Sequence, residues 1–570
     1  MLEHIRRFKR NPAQYHCRRV VAALTNSICA DMTDHLLTDS YVAASNELPV
    51  IHKTVGDFFR DAASTVPDRL ALVEIPSGSH PKGRTWTYQQ LLVESERVAA
   101  GLLRRFAPGE RLAVWASNRA EYVSLQLGAA LAGVVLVTLN PACRTEEMRY
   151  FLHQSEAAGL VMSQTFRGLD NAAVIDCLRA ELGHLRTIAY FDDWEEFLGE
   201  AHSPRPLPQV DIDDPVLILY TSGTTGKPKG VVHRHQSLVN NARASTARYG
   251  LDTGAVWLAT LPMFHVGGSV TATLGCIANL GTQVMMPEFK PDLMMRLIEE
   301  YRATITTVVP TMVLDMLEHE TFGQFDLSSL ELMLTGGTIV TPEIVRSIRE
   351  EFNVDVGVIF GQTEAGGVMA QTCRGEPEER LCNSVGRAIS NCEMKIAHAE
   401  SGEPLPIGEI GEICVRSPFL MKGYLRMPEA TAATIDGNGW LHTGDLGVMR
   451  PDGYIRVTGR LKDMIIRGGE NIYPREIEDL LSGHPELADV AVFGIPDERW
   501  GEQVAAAIRV KPGATASSES LEAFLDGKIA RHKIPRHWMR VDAFPTNASG
   551  KVQKFLLRDL WLEHVKDRSL

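Results

Sequence analysis

From Thr54 onward, helix-like and strand-like stretches alternate along the chain, and this alternation constrains the fold more than any single motif. Residues 55–64 carry apolar side chains at helical spacing, 70–74 and 84–86 read as a hairpin, and 87–103 reads as a long helix with Tyr88, Leu91, Leu92 and Val98 on one side. Residues 111–117 form a buried strand, 121–132 a helix and 134–139 another strand; strands at 257–261, 304–309, 330–334 and 356–360 continue the pattern. Strands separated by helices pair in parallel, and the helices cover the sheet faces. At 570 residues the chain exceeds one compact core and suggests roughly three or four domain-sized units.

Beyond Gly386 the texture changes. Gly402, Gly408, Gly411 and Gly423 punctuate short strands, and Tyr454-Ile455-Arg456-Val457 follows an Asp452-Gly453 turn, which predicts a β-rich part over about 386–460. After Arg460 comes a compact unit: a helix at 474–481, strands at 490–493 and 504–510, a helix at 520–531 and a basic tail. The expected fold class is α/β: a large N-terminal domain of stacked mixed and parallel sheets with helices plus a β-rich subdomain (51–461), and a small α+β C-terminal domain on a hinge (462–570). Residues 1–50, basic and poor in acids, read as a poorly ordered extension.

A net charge of −13 and a pI near 5.8 argue against a general nucleic-acid binder. The best candidate for a membrane span, 125–139, is too short and rich in Gly and Ala, and reads as a buried helix running into a strand. Nine scattered cysteines without a Cys-x-x-Cys pair favour reduced thiols and a cytoplasmic location over a disulfide framework or a zinc site.

The stretch richest in chemistry is 220–230, Tyr-Thr-Ser-Gly-Thr-Thr-Gly-Lys-Pro-Lys-Gly, directly after the apolar run Val216-Leu217-Ile218-Leu219. Glycines let backbone N–H groups converge, hydroxyls add donors and the lysines add charge, so the loop suits a polyphosphate. It is not the common P-loop: only Thr224-Thr225 separate Gly223 from Gly226-Lys227, and Pro228 stands where a metal-binding hydroxyl would be.

This loop resembles the phosphate loop of the acyl-adenylate-forming family, which includes acyl-CoA synthetases, peptide-synthetase adenylation domains and luciferases. The likeness runs from about Thr54 to Arg558 over several separated motifs. It implies ATP, Mg2+ and coenzyme A, with Thr221, Ser222, Gly223, Thr224, Thr225, Gly226 and Lys227 holding phosphates. Leu334-Thr335-Gly336-Gly337-Thr338 and Phe360-Gly361-Gln362-Thr363-Glu364 each end a strand, where open α/β sheets bind ligands. Gly336 and Gly337 let backbone lie against a flat base on which Phe360 stacks. The resemblance places the adenine there, beside Thr338, Gly361 and Gln362, with Thr363 on the α-phosphate and Glu364 on the magnesium ion. Where family members often carry Tyr, this chain has Phe360, which keeps stacking and loses the hydroxyl.

A carboxylate can accept from both hydroxyls of a ribose. The resemblance gives that task to Asp445, in Leu441-His442-Thr443-Gly444-Asp445, helped by Arg460. Phe264, His265, Val266 and Gly268, with Gly366 and Gly367, match the acyl pocket and thiol tunnel, and His265 is assigned no proton transfer. Lys462 matches the hinge and Gly468-Gly469 a later wall of the tunnel. Lys551, in Pro545-Thr546-Asn547-Ala548-Ser549-Gly550-Lys551, matches the catalytic lysine, so Lys551, Thr363 and Glu364 form the catalytic set.

The implied activity is ATP-dependent ligation of a carboxylic acid to CoA through acyl-AMP, with pyrophosphate and then AMP released and the C-terminal domain turning between the two steps. Residues 257–287 hold no carboxylate to meet an α-amino group, and Val270 and Val368 add to an apolar lining, so the expected acid is medium-chain, alicyclic or aromatic. An acyl carrier protein as acceptor and a homodimer stay open. A catalytically inactive nucleotide-binding regulator is disfavoured by Glu364, Asp445, Arg460 and Lys551 standing together.

Overall fold

The helix Ala120–Ala132 is buried along its whole length because it lies between two sheets. In the computed structural model, which describes residues 36–76, 82–199, 206–221, 228–338, 340–399, 401–546 and 552–567, this helix shares one core with strand residues Leu112, Leu136 and Leu217 on one side and Leu72 and Met285 on the other. It crosses the helix Tyr88–Leu103 closely, since a Cβ on Gly128 would lie 2.6 Å from Val98 and 2.7 Å from the Ser95 carbonyl. The long apolar stretch is therefore a packed helix followed by the strand Val135–Leu139. Among the described residues no helix is long and apolar enough to cross a membrane.

The first sheet has seven strands, with Thr187–Tyr190, Gly159–Met162, Arg111–Trp115, Val135–Leu139 and Pro215–Thr221 running in parallel. The second has nine, with a parallel centre of Asp355–Gln362, Leu332–Gly336, Ile305–Val308, Val256–Ala259, Thr282–Met285 and Leu70–Glu74. A third, antiparallel sheet holds Glu393–Ala397, Gly411–Arg416, Leu441–Met449 and Ile455–Arg460, the β-rich part. The expected α/β class with a large multi-sheet N-terminal domain and a small C-terminal one is what the chain adopts.

Several details differ from the sequence reading. The sequence does not say which element follows the phosphate-loop stretch. Pro215–Thr221 turns back antiparallel into Lys229–Arg234, with Thr221 facing Lys229 as the last pair, and only then does the helix His235–Thr246 begin. Residues 36–50, expected within a poorly ordered extension, are tied down: Tyr41–Val42 pairs with Lys395 and Met394 at the edge of the third sheet. The helix expected over 520–531 is Ser518–Leu525, stopped where Gly527 takes φ +74°, and a single turn follows at Arg531–Lys533. Among the described residues Cys143, Cys177, Cys276, Cys382, Cys392 and Cys414 are free thiols.

The C-terminal sheet joins Glu470–Ile472, Ile465–Arg467, Gly501–Val510 and Leu487–Asp497, with His537–Arg540 added in parallel. Its helix Pro474–Leu481 lies against the strand Ile455–Arg460 of the third sheet, where Asp479 faces Arg456. Within the large domain, the buried Arg248 guanidinium donates to the carbonyls of Gln371 (3.3 Å) and Arg387 (2.9 Å) and to that of Ala388. It thereby pins the far edge of the nine-stranded sheet.

His233, on Lys229–Arg234, is fully buried beside the backbone of Thr363. Burial lowers its pKa to about 3. The unfolded chain takes up this proton near pH 6.5 and the folded chain only near 3, so stability is lost as pH falls through that window, by up to about 1.4 kcal/mol per pH unit. His233→Leu should flatten the decline by about 2 kcal/mol between pH 7 and pH 5, measured by urea unfolding; an unchanged pH slope would refute it.

Candidate active site

Two neighbouring strands of the nine-stranded sheet, Leu332–Gly336 and Asp355–Gln362, deliver their carboxyl ends side by side, with Gly336 opposite Ile359. The approach leaves no room for side chains: a Cβ on Gly336 would sit 2.2 Å from the Ile359 carbonyl oxygen, and one on Gly361 2.0 Å from that of Gly367. Gly337 and Thr338 follow directly, outside the strand, and Phe360 is half-buried at the edge of the core. After Gln362 the chain makes one tight turn, Thr363–Ala365, and returns as Gly367–Gln371.

Gln362 joins this strand end to the antiparallel sheet. Its amide donates to the Thr443 carbonyl (2.9 Å) and to Asp445 Oδ2 (2.6 Å). Asp445 is 5% exposed, and its other oxygen meets Arg460 Nε at 2.9 Å across a strand pair in which the two residues are partners. A carboxylate that buried needs such partners to stay charged. Each oxygen retains a further lone-pair direction for an incoming hydroxyl.

Glu364 is positioned by a residue that the sequence reading passed over. The Tyr424 hydroxyl donates to Glu364 Oε1 at 2.8 Å, and the backbone N–H of Met421 binds the Glu364 carbonyl at 2.8 Å. Burial and the adjacent carboxylate push the Tyr424 phenol well up, so it stays a donor. The Lys229 ammonium lies 4.7 Å from the centre of the same ring, and Tyr424 is the strand neighbour of Val231. Lys229, Tyr424 and Glu364 thus connect the end of the phosphate-loop hairpin to the strand-end carboxylate. Glu364 Oε2 makes no hydrogen bond among the described residues. One free carboxylate oxygen, completed by phosphate and water oxygens, fits the ligand preference of Mg2+.

The acyl-pocket candidates also converge. Asn118 holds the loop before them, accepting from Met263 N (2.8 Å) and donating to the carbonyls of Leu261 (3.0 Å) and Met286 (3.1 Å). The Phe264 carbonyl accepts from Thr138 (3.0 Å). His265 is exposed by surface yet hemmed in by protein that lowers its pKa, a combination that describes a side chain lining a deep crevice. Its Nδ1 accepts from Gly267 N at 3.1 Å, which leaves the proton on Nε2. A π-helical segment, Gly267–Leu274, follows and contains Gly268 and Val270. Val266 lies 3.6 Å from where a Gly367 Cβ would be. Asn241, also missed from sequence, donates to the carbonyls of Val368 (2.8 Å) and Ala365 (3.4 Å) and accepts from Val368 N (3.3 Å), fixing Gly366 and Gly367 against the helix His235–Thr246.

Other candidates stand apart. Gly468 and Gly469 form the exposed turn between Ile465–Arg467 and Glu470–Ile472, held by Gly468 N to the Trp500 carbonyl (2.7 Å). Lys462 is exposed in the single turn Leu461–Asp463, between the third sheet and the C-terminal one. Ser222, Gly223, Thr224, Thr225, Gly226, Lys227 and Lys551 lie outside the described residues, though Thr221 and Lys229 fix where the loop starts and ends.

The model of the AMP-binding enzyme family matches residues 59–425, and that of the AMP-binding enzyme C-terminal domain matches 476–551. The chain belongs to the AMP-binding enzyme family. Similar proteins include YngI of Bacillus subtilis (strain 168), whose name is that of an acyl-CoA synthetase: it is 36% identical over 544 residues, covering 90% of this chain and 98% of YngI. The human medium-chain acyl-CoA ligase ACSF2, mitochondrial, is 33% identical over 560 residues, covering 92% of this chain and 90% of the relative. Among solved structures, ATP-bound MatB from Rhodopseudomonas palustris superposes with a TM-score of 0.79 at 28% identity over 89% of this chain and 99% of MatB. The protein is accordingly an enzyme of the AMP-forming acid–thiol ligase class, with ATP and CoA as the family's substrates.

For this ligase, Tyr424→Phe removes the donor to Glu364 and keeps the ring under Lys229. Adenylation should fall about tenfold, as for one lost hydrogen bond to a charged group, and the Mg2+ needed for half-maximal rate should rise. Pyrophosphate release over a Mg2+ series checks this; an unaltered Mg2+ dependence would remove Tyr424 from the site.

Proposed function

We propose that the enzyme activates an apolar medium-chain, alicyclic or aromatic carboxylic acid as its acyl-AMP and transfers the acyl group to CoA. The observation that carries this reading is the convergence of Gln362, Asp445, Arg460, Thr363 and Glu364 at one strand end beside the hairpin closed by Thr221 and Lys229. The lining offered by Val266, Gly268, Gly366 and Gly367 favours an apolar acid, as does the medium-chain ligase among the relatives.

Adenylation brings a carboxylate against the α-phosphate, an anion against an anion, so fixed cations and oriented donors should dominate the rate. In this reading Asp445 and Arg460 hold the ribose, and Phe360 with Gly336, Gly337, Thr338 and Gly361 packs the adenine. Thr363 binds the α-phosphate, and the 221–227 loop keeps the departing pyrophosphate in place. Glu364 would hold Mg2+, which supplies charge neutralisation when bound. Lys551 bridges the two reacting anions.

His265 lines the crevice as an Nε2–H donor and accepts no proton, in keeping with its lowered pKa. The C-terminal domain then turns about Lys462, withdrawing Lys551 and bringing Gly468 and Gly469 to the thiol path. A reduced, cytosol-like setting suits the six free thiols found among the described residues.

Pyrophosphate release with a graded acid panel, and thioester formation with CoA beside a holo-carrier protein, tests this reading; release with no acid in the panel would overturn it. Lys551→Ala should slow adenylation at least about 10²- to 10³-fold, as loss of one transition-state donor does. Lys462→Pro should spare acyl-AMP formation and block thioester formation; equal loss of both would count against the hinge.

A further inference from the structure

The strand pair that presents Asp445 is irregular at that point. Glu412 pairs with Leu446 and Cys414 with His442, so the single residue Ile413 faces Thr443, Gly444 and Asp445. The surplus residues bulge out of the ladder, which aims Asp445 toward Gln362 and leaves bulge backbone without regular partners. Side chains replace the missing ladder bonds. Glu412 Oε1 accepts from Gly444 N at 2.9 Å, and Thr443 Oγ1 donates to the Ile413 carbonyl at 2.6 Å while accepting from Asp445 N at 3.1 Å. Glu412 is itself held: its Oε2 lies 2.8 Å from His442 Nδ1. A carboxylate only accepts, so Nδ1 carries the proton. Cys414 Sγ lies 3.6 Å from the same nitrogen, and burial pushes that thiol up to about 12, which keeps it neutral. Asp436 Oδ2 stands 3.6 Å from the other ring nitrogen.

We propose that Glu412 and His442 act as a clamp on the Thr443–Gly444–Asp445 bulge, making both positioning residues for nucleotide recognition. The proposal rests on Asp445 being the ribose carboxylate, as read above. Glu412 touches no substrate; it fixes the backbone N–H one residue before the carboxylate and so sets where that carboxylate stands. Its loss would leave Gly444 N–H unpaired and allow the bulge to relax toward a regular ladder. The consequence is specific: weaker selection for the ribose hydroxyls, with adenine, phosphate and acid contacts kept. Glu412, Cys414 and His442 also bring potential ligand atoms within 4.8 Å of one another. The clamp accounts for them without a metal, because one Glu412 oxygen is committed to Gly444 N–H and the other to the Nδ1 proton of His442.

The test measures KM for ATP, 2′-deoxy-ATP and the acid, with kcat, in Glu412→Ala, Glu412→Gln, His442→Ala, His442→Asn and Asp445→Asn enzymes. Glu412→Ala should raise the KM for ATP about tenfold, raise that for 2′-deoxy-ATP less, because only its 3′-hydroxyl contact is there to lose, and leave the acid KM unchanged. His442→Asn, which keeps a donor near the Nδ1 position, should recover most of what His442→Ala loses. Where the alanine variants do not fold, Glu412→Gln and His442→Asn carry the comparison, with Glu412→Gln showing an intermediate loss. If Asp445→Asn keeps the full preference for ATP over the deoxy analogue, the ribose reading falls. If Asp445→Asn loses that preference while the folded Glu412 variants retain it, the clamp falls and the ribose reading stands. Stoichiometric zinc in the purified enzyme, lost in Cys414→Ser, would also overturn the clamp, since Nδ1 would then be a ligand and not a donor.

Discussion

The hydrogen bond from Gln362 to Asp445 joins two sheets built on different principles. The nine-stranded sheet is largely parallel and buried on both faces, and its strand ends open where helices cannot close over them. The third sheet is antiparallel and can afford an irregular strand, because its neighbours come from hairpins whose loops absorb the slack. A buried carboxylate at their junction is tolerable only if both oxygens are satisfied. Arg460 satisfies one from within the antiparallel sheet and Gln362 the other from across the junction. Removing either side would leave a charge with half its partners.

A second chain of contacts runs along the opposite side of the strand end. Lys229 lies over the Tyr424 ring, and the Tyr424 hydroxyl holds Glu364. The hairpin that closes the phosphate loop therefore cannot shift without disturbing the carboxylate. Asn241 does the same for the next residues, since its amide grips both backbone groups of Val368. The half-turn of Thr363–Ala365 is held from two directions, one aromatic and one amide.

The parallel strands were legible because apolar runs of strand length alternate with helical periods, and the strand-end motifs because glycines mark backbone approaching backbone. Gly336 and Gly361 behave as that reading requires, with no space for a side chain at either. What escaped was contact between residues far apart in sequence. Tyr424 and Glu364 are 60 residues apart, Asn241 and Val368 127, Glu412 and Gly444 32, and no local pattern links any of these pairs. The antiparallel return at Thr221–Lys229 escaped for another reason: glycine-rich loops precede strands and helices alike. The helix expected over 520–531 runs past Gly527, whose φ of +74° lies outside the helical region, and the helix ends at Leu525.

The short strand Tyr41–Val42 has a bearing beyond the active site. It lies along Glu393–Ala397, the outer strand that leads through Gly411–Arg416 to the Asp445 bulge. A bare outer strand offers a row of unpaired amide and carbonyl groups to any passing extended chain. Residues just ahead of the first α/β unit therefore shield the outer strand of the third sheet from self-association, and trimming them away would expose a sticky flank.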